Sequence, residues 1–317
     1  MAYARLHLTP VRCRTLNPIS FIHSTCHKLG RFGTNRLPVL SWQPTQSEWM
    51  LAAQCVQTEE KTRIGKFVFQ KDCKSAMIGR LLIRAASAHM LNVAYPDIKL
   101  TRTERGKPQI LNTLPADYQH YSFNISHQED FVVLAAEKER EVGVDVMNSI
   151  SQRGDSMPKF FSLMKRHLTD REWTTVTSQP TEREQMKMFY RHWCLKESVV
   201  KTLGIGIGYE FGKLDFRIQT TDLQPNHIVQ DTSVHIEGKL DTDWSFEETM
   251  LEDHCAVVAI RNQQNNNQSK ETNSRNSFHL CSVPELLAFC VPLAGSSPDL
   301  EYWKTFSTKL EKPVRMS

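Results

Sequence analysis

The chain of 317 residues has eight cysteines and no Cys-x-x-Cys spacing. Thiols scattered in this way give no support to a metal cluster or a disulfide framework and fit reduced cysteines inside a cell. Cys194, although it lies within a motif described below, reads as packing. No apolar run approaches the roughly 18 residues of a membrane-spanning helix, so neither a membrane protein nor a membrane partner is expected. The Gly-x-x-x-x-Gly-Lys-Ser/Thr loop is absent, which removes the commonest nucleotide-phosphate cradle. Acidic residues are missing from positions 1–47, where Arg5, Arg12, Arg14, Lys28, Arg31 and Arg36 lie. Without those six the basic residues number 33 against 35 acidic ones, so the net charge of +4 belongs to the amino-terminal stretch. It is therefore no argument for nucleic-acid binding by the body of the protein. An Arg- and Ser-bearing start without acids has the composition of a mitochondrial transit peptide, the alternative being an unstructured extension.

What is present is an ordinary globular composition, 40% apolar, long enough to bury a full core in one large domain or two smaller ones. A long helix is expected over 71–92, with Met77, Leu81, Arg84 and Ala88 on one side. Strands are expected around Lys99 and Phe131. The runs 131–136 and 142–147, separated by Glu137-Lys-Glu-Arg-Glu141, predict a β-hairpin. Helices follow over 158–165, 169–177 and 185–203, then strands over 213–218, 234–236 and 255–260. After Ile260 a polar stretch reads as linker or disorder. The apolar patch 283–293 beyond it either docks on the body or stays loose.

The helix over 185–203 closes on Gly204-Ile-Gly-Ile-Gly208, where glycine can take the left-handed conformation that ends a helix. At 3.6 residues per turn, Phe189, Trp193, Glu197 and Lys201 share a face. An acid and a base one turn apart can hold a metal and a phosphate, or can be a surface ion pair worth about 0.3–0.5 kcal/mol. On the strand 142–147, Val144 and Val146 point one way, and Gly143, Asp145 and Met147 the other. Asp145 is a hard oxygen donor of the type Mg²⁺ takes once or twice from a protein. Ser126 and His127, adjacent in Phe123-Asn-Ile-Ser-His127, point to opposite faces of a strand and are not a nucleophile–base pair. Arg102-Thr-Glu-Arg-Gly-Lys-Pro108 offers cations and a glycine that allows close backbone approach to a phosphate-rich ligand.

Taken in order, Arg-Thr-x-x-Gly-Lys-Pro, Phe-Asn-x-Ser-His, Gly-Val-Asp and Trp-x-x-Lys-Glu-Ser-x-x-Lys resemble the phosphopantetheinyl transferases, in their larger, monomeric class. The likeness runs from about Trp42 to Ile260 and includes Glu59-Glu-Lys-Thr-Arg-Ile-Gly65 and Met188-Phe-Tyr-Arg-His-Trp193. It implies an α+β fold of two similar halves about a pseudo-twofold axis, with coenzyme A between them. The expected organisation is a basic extension over 1–40, transferase halves over 41–140 and 141–260, and a linker with a variable tail over 261–317. It further implies transfer of the 4′-phosphopantetheine arm of coenzyme A to a serine of apo acyl-carrier proteins and related carrier domains. The other product is adenosine 3′,5′-bisphosphate.

By the same resemblance Asp145 and Glu197 are the Mg²⁺ ligands, and Asp145, Glu197 and Lys201 the catalytic residues. Glu197 also fits a general base, and whether one carboxylate does both stays open. Arg63, the 102–107 turn (Arg102, Thr103, Glu104, Arg105, Gly106, Lys107), the 124–127 stretch (Asn124, Ile125, Ser126, His127) and Ser198, Val199 and Val200, with Asp145, Glu197 and Lys201, are the expected coenzyme A contacts. Many bacterial relatives carry Asp-x-Glu on this strand, whereas here the second position is Met147, so water, held by Gln128, is expected to replace a carboxylate on the metal. Fatty-acid synthase, aminoadipate reductase-like proteins and a mitochondrial carrier protein are the carriers left open. The resemblance places the protein in the cytosol as a monomer, with mitochondrial import through the basic start as the alternative. Rival readings are another Mg²⁺-dependent nucleotide phosphotransferase or hydrolase, and a non-catalytic carrier-protein binder.

Overall fold

A computed structural model describes residues 31–32, 35–38, 42–129, 131–150, 156–206, 208–262 and 278–311. The expectations for residues 1–30 and for most of the polar stretch after Ile260 lie outside the described residues. The strands β1 (Arg31–Phe32) and β2 (Asn35–Pro38) pair antiparallel with the strand Phe131–Glu137, so the fold reaches into the segment assigned from sequence to an extension.

The first half continues with helices α1 (Gln46–Gln54), α2 (Thr58–Gly65) and α3 (Gln70–Leu91). Helix α1 starts at a reciprocal capping box, Thr45 with Glu48, that satisfies otherwise orphaned amides. Helix α3 ends where Asn92 turns left-handed at φ 53°. A hairpin of β3 (Leu100–Arg102) and β4 (Pro108–Ile110) follows, and then β5 (Ser122–Gln128) pairs with β6 (Phe131–Glu137). The second half has β7 (Glu141–Asn148), helices α4 (Met157–Met164), α5 (Asp170–Thr177) and α6 (Glu182–Leu203), and the sheet β8 (Leu214–Arg217), β9 (Ser233–Ile236) and β10 (Lys239–Asp241). Strands β11 (Trp244–Leu251) and β12 (His254–Arg261) pair with each other, and β12 pairs with β7 along its length. The chain then returns to the first half through β13 (His279–Leu280), α7 (Val283–Phe289) and α8 (Leu300–Ser307). The apolar patch beyond Ile260 is docked, with Val283, Leu286 and Leu287 in the first-half core. None of the described helices is long and apolar enough to cross a membrane.

Each half repeats one plan about a pseudo-twofold axis, a 22-residue helix against an antiparallel sheet: α3 on β5 and β6, α6 on β7 and β12. Between them runs an apolar seam of Phe131, Val133 and Ala135 against Val142, Val144, Val146, Ala256, Val258 and Ile260. The predicted hairpin does not form, since β6 pairs with β5 and β7 with β12. The reason lies in β5. Its alternating polar side chains take the amides that a neighbouring strand would leave unpaired. Val142, Val144 and Asn148 donate their N–H to Ser122 Oγ (3.3 Å), Asn124 Oδ1 (3.0 Å) and Gln128 Oε1 (3.2 Å).

Gly143 sets how closely α6 lies on β7. A Cβ there would stand 2.2 Å from the Ser198 carbonyl oxygen and 2.5 Å from the Thr202 amide nitrogen. Both are helix backbone and cannot yield locally. Gly143→Ala is expected to destabilise the fold by roughly 3 kcal/mol, the upper range for overpacking. A denaturant midpoint unchanged from the parent would contradict this.

Candidate active site

Helix α6 starts earlier than its apolar periodicity indicates, because Thr181 accepts the Glu184 amide as N-cap, and it ends at left-handed Gly204, φ 65°. The close pass at Gly143 brings Lys201 over the neighbouring strand residue. Lys201 Nζ lies 2.5 Å from Asp145 Oδ1 and 2.7 Å from Ser126 Oγ, and Ser126 Oγ donates to the same Asp145 oxygen at 2.9 Å. Asp145 is buried, and its other oxygen, Oδ2, is buried without a hydrogen-bond partner among the described residues. A lone carboxylate oxygen kept dry in this way is costly unless something occupies it. Glu197, one turn before Lys201, has its carboxyl pKa raised first by burial and then by the Asp145 charge, with Lys201 opposing. A divalent cation answers both conditions, since it takes the orphaned oxygen and relieves the repulsion between the carboxylates. Among the described residues no group of three or more His, Cys, Asp or Glu gathers as a metal site.

On the first half, Glu60 sits within a ring of guanidinium groups. Arg102 Nε reaches Glu60 Oε1 at 3.0 Å, Arg63 Nε reaches Oε2 at 2.8 Å, and Arg80 Nε stands 3.5 Å from Oε2. Burial alone would raise the Glu60 carboxyl, but the Arg102 bonds, the Arg80 charge and Arg63 outweigh it and hold it below its ordinary value. Arg80 is buried with its Nε and Nη1 lacking hydrogen bonds, and burial lowers its pKa to about 10. The cations exceed the single acid, and unused donors face it, which suits a phosphate better than a carboxylate alone. Arg80 and Glu60 were absent from the expected contacts. The signals available were the place of Glu60 in the Glu59–Gly65 motif and an arginine at position 80 within the largely apolar face of a long helix.

The remaining expected residues divide. Thr103, Glu104, Arg105 and Gly106 form the β3–β4 turn, with Gly106 left-handed at φ 82°. Lys107, an expected coenzyme A contact, also ties the two halves together. Its ammonium donates to the Lys201 and Thr202 carbonyls (3.2 and 3.3 Å) at the negative end of α6, and Arg105 reaches the Ile205 carbonyl at 2.9 Å. The turn therefore straps the first half onto the end of α6. Asn124 is likewise a structural tie, its Oδ1 spent on the Val144 amide, and Gln128 spends its Oε1 on Asn148 rather than only on water. His127 is exposed on the opposite face of β5 and Ile125 packs against the first-half core. Ser198, Val199 and Val200 are buried, with the Ser198 hydroxyl donating to the Leu195 carbonyl. Met147 does share the Asp145 face, but it packs among the apolar residues around α6. A thioether suits that contact, and a second carboxylate would not.

The chain has its counterparts. The family profile described as "4'-phosphopantetheinyl transferase, N-terminal" matches residues 40–139, and that of the "4'-phosphopantetheinyl transferase superfamily" matches residues 141–259. The L-aminoadipate-semialdehyde dehydrogenase-phosphopantetheinyl transferase of Homo sapiens is 38% identical over 282 residues, 87% of this chain and 91% of its own. The protein of the same name from Xenopus laevis is 38% identical over 279 residues, again 87% and 91%. A phosphopantetheinyl transferase of Thraustochytrium sp. is 35% identical over 71% of this chain and 76% of its own. The chain belongs to the 4′-phosphopantetheinyl transferases. It is an enzyme that transfers the phosphopantetheine arm of coenzyme A to carrier proteins.

Within the Trp-x-x-Lys-Glu motif the two lysines do different work. Lys196 is fully buried, 2.7 Å from Glu172 Oε2 and donating to the Phe211 and Leu214 carbonyls, whereas Lys201 faces the cleft. Lys196→Met should therefore destabilise the fold by about 3–5 kcal/mol, the cost of stranding a buried partner charge. Lys201→Met should fold and lose transfer. Equal melting temperatures for the two variants would contradict the division.

Proposed function

We propose that the transfer is Mg²⁺-dependent, with the ion held by Asp145 and Glu197, the coenzyme A diphosphate engaged by Lys201, and the remaining nucleotide phosphate taken by Arg63, Arg80 and Arg102. The observation that carries this reading is the buried, unpartnered Oδ2 of Asp145 beside a carboxyl whose charge is disfavoured. When bound, the metal neutralises charge on the diphosphate as the phosphorus is attacked. Lys201 contributes a fixed positive charge, and its bonds to Asp145 Oδ1 and Ser126 leave Oδ2 as the oxygen available to a ligand. Glu197 is placed to accept the proton of the carrier serine. Its pKa, raised by burial and by the Asp145 charge, makes it a better base than an exposed glutamate. The strap of Arg105 and Lys107 onto the end of α6 holds the nucleotide side against the reacting side, so that both reactants meet in fixed orientation.

The proposed acceptors are carrier domains of the fatty-acid synthase, aminoadipate reductase-like and mitochondrial carrier types, and the proposed compartment is the cytosol, in monomeric form. The direct test is incubation with coenzyme A, Mg²⁺ and an apo carrier protein, read by intact mass. Gain of one phosphopantetheine arm, abolished by a chelator, is expected. Coenzyme A cleavage without labelling would favour the hydrolase instead. Glu197→Gln should lower the rate by roughly 10²–10⁴-fold, the range for a lost general base, even at saturating Mg²⁺. Recovery of most of the rate at high Mg²⁺ would leave Glu197 as ligand alone.

A further inference from the structure

Helix α2 carries both Arg63 and Glu60, yet it has few means of its own to hold them. It is eight residues long, half of them charged, and buries only Glu60 and Ile64. A helix of that length is marginal alone and depends on tertiary contacts. Glu60 is held by Arg80 and Arg102 and Ile64 by the first-half core, and the rest of α2 is held from the far end of the chain. Lys61 Nζ is 2.6 Å from Asp299 Oδ2 and lies over the Tyr302 ring at 5.0 Å. Tyr302 donates its hydroxyl to the Lys61 carbonyl at 3.1 Å. The Lys309 ammonium closes the carboxyl-terminal end of α2, donating to the Gly65 carbonyl at 2.9 Å and the Phe67 carbonyl at 2.6 Å. There it also meets the negative end of the helix dipole. At Gly65 a Cβ would lie 3.4 Å from the Tyr302 ring, so the closing residue of α2 fits against the same side chain.

The segment is itself anchored. Trp49 on α1 stacks on Phe306 at 3.7 Å between ring centroids and faces Tyr302 at 6.0 Å. Gln70, the first residue of α3, bonds the Ser307 and Lys309 carbonyls, and its amide bonds the Leu310 carbonyl at 3.0 Å. One face of α8 is thus fixed to α1 and α3 while its polar groups grip α2.

We infer that residues 283–311, which lie beyond both family-profile matches, are a clamp that positions Arg63 and Glu60 for the coenzyme A phosphate. Asp299, Tyr302 and Lys309 are its positioning residues. The inference rests on the reading that the arginine cluster takes the phosphate outside the diphosphate. Among the described residues, the side-chain bonds of Asp299, Tyr302 and Lys309 go to α2, the residues that follow it and α8 itself, and not to the reacting carboxylates or α6. Loss of the clamp should therefore weaken recognition of one phosphate without slowing the chemistry.

The test is steady-state kinetics of the full chain carrying Asp299→Ala, Tyr302→Phe and Lys309→Met together, with an apo carrier, Mg²⁺, and either coenzyme A or 3′-dephospho-coenzyme A. The KM for coenzyme A should rise roughly tenfold with kcat nearly unchanged, as for a lost charge-assisted contact. The KM for the dephospho form should stay near that of the parent. A rise of equal size for both substrates, or none for either, overturns the clamp. Parent protein without preference for coenzyme A over its dephospho form would remove the arginine-cluster reading and this inference with it. A parental preference that survives intact in the variant removes the clamp alone. Should the combined variant melt early, Tyr302→Phe keeps the ring and deletes only the bond to the Lys61 carbonyl. A smaller rise confined to coenzyme A is then expected, and its absence overturns the inference.

Discussion

The close pass of α6 over β7 is the constraint from which the site follows. Because Gly143 has no side chain, the backbone of α6 comes down onto the strand and Lys201 reaches Asp145 two residues along. Val144, facing the other way, belongs to the seam that joins the halves. One strand thus buries its valines against the first half and presents its acid to the helix of the second. Moving the register of β7 by one residue would exchange those faces and lose the seam and the site together.

The two halves are held by polar ties as well as by the seam. Ser122, Asn124 and Gln128 satisfy amides of β7, and Arg105 and Lys107 satisfy carbonyls at the end of α6. Residues that look like a nucleotide-binding set in sequence are in part the fastening of the cleft. This has a consequence for function, because a ligand lying between the halves meets walls whose spacing is set by hydrogen bonds of fixed length. The electrostatic design is divided in the same way. The first half offers an excess of guanidinium charge around Glu60, and the second a pair of carboxylates restrained by one lysine.

Much of this was legible in the sequence. The long helices, the left-handed end at Gly204, and the Phe189–Trp193–Glu197–Lys201 stripe follow from helical periodicity and capping chemistry. The opposed faces of β7 follow from strand alternation. What could not be read was pairing. The hairpin of β6 and β7 was a sound local inference, undone by β12, more than a hundred residues away in sequence, and by side chains of β5 standing in for a strand. The capping box Ser282–Glu285 announces α7, and Asp299 caps α8, but neither says which surface the segment covers. Lys196 beside Glu197 shows the limit most clearly. Both are ionisable neighbours on one helix, and only tertiary packing assigns one to a buried ion pair with Glu172 and the other to the cleft.

The central proposal is that Asp145 and Glu197, close enough for the Asp145 charge to raise the Glu197 pKa, together hold a divalent cation. It is tested most directly by carbon NMR titration of the Glu197 carboxyl in metal-free protein, assigned with Glu197→Gln. A midpoint above the ordinary glutamate value of about 4.3 is expected, falling in Asp145→Asn and on addition of Mg²⁺. A midpoint at or below the ordinary value, unmoved by either change, would contradict the site.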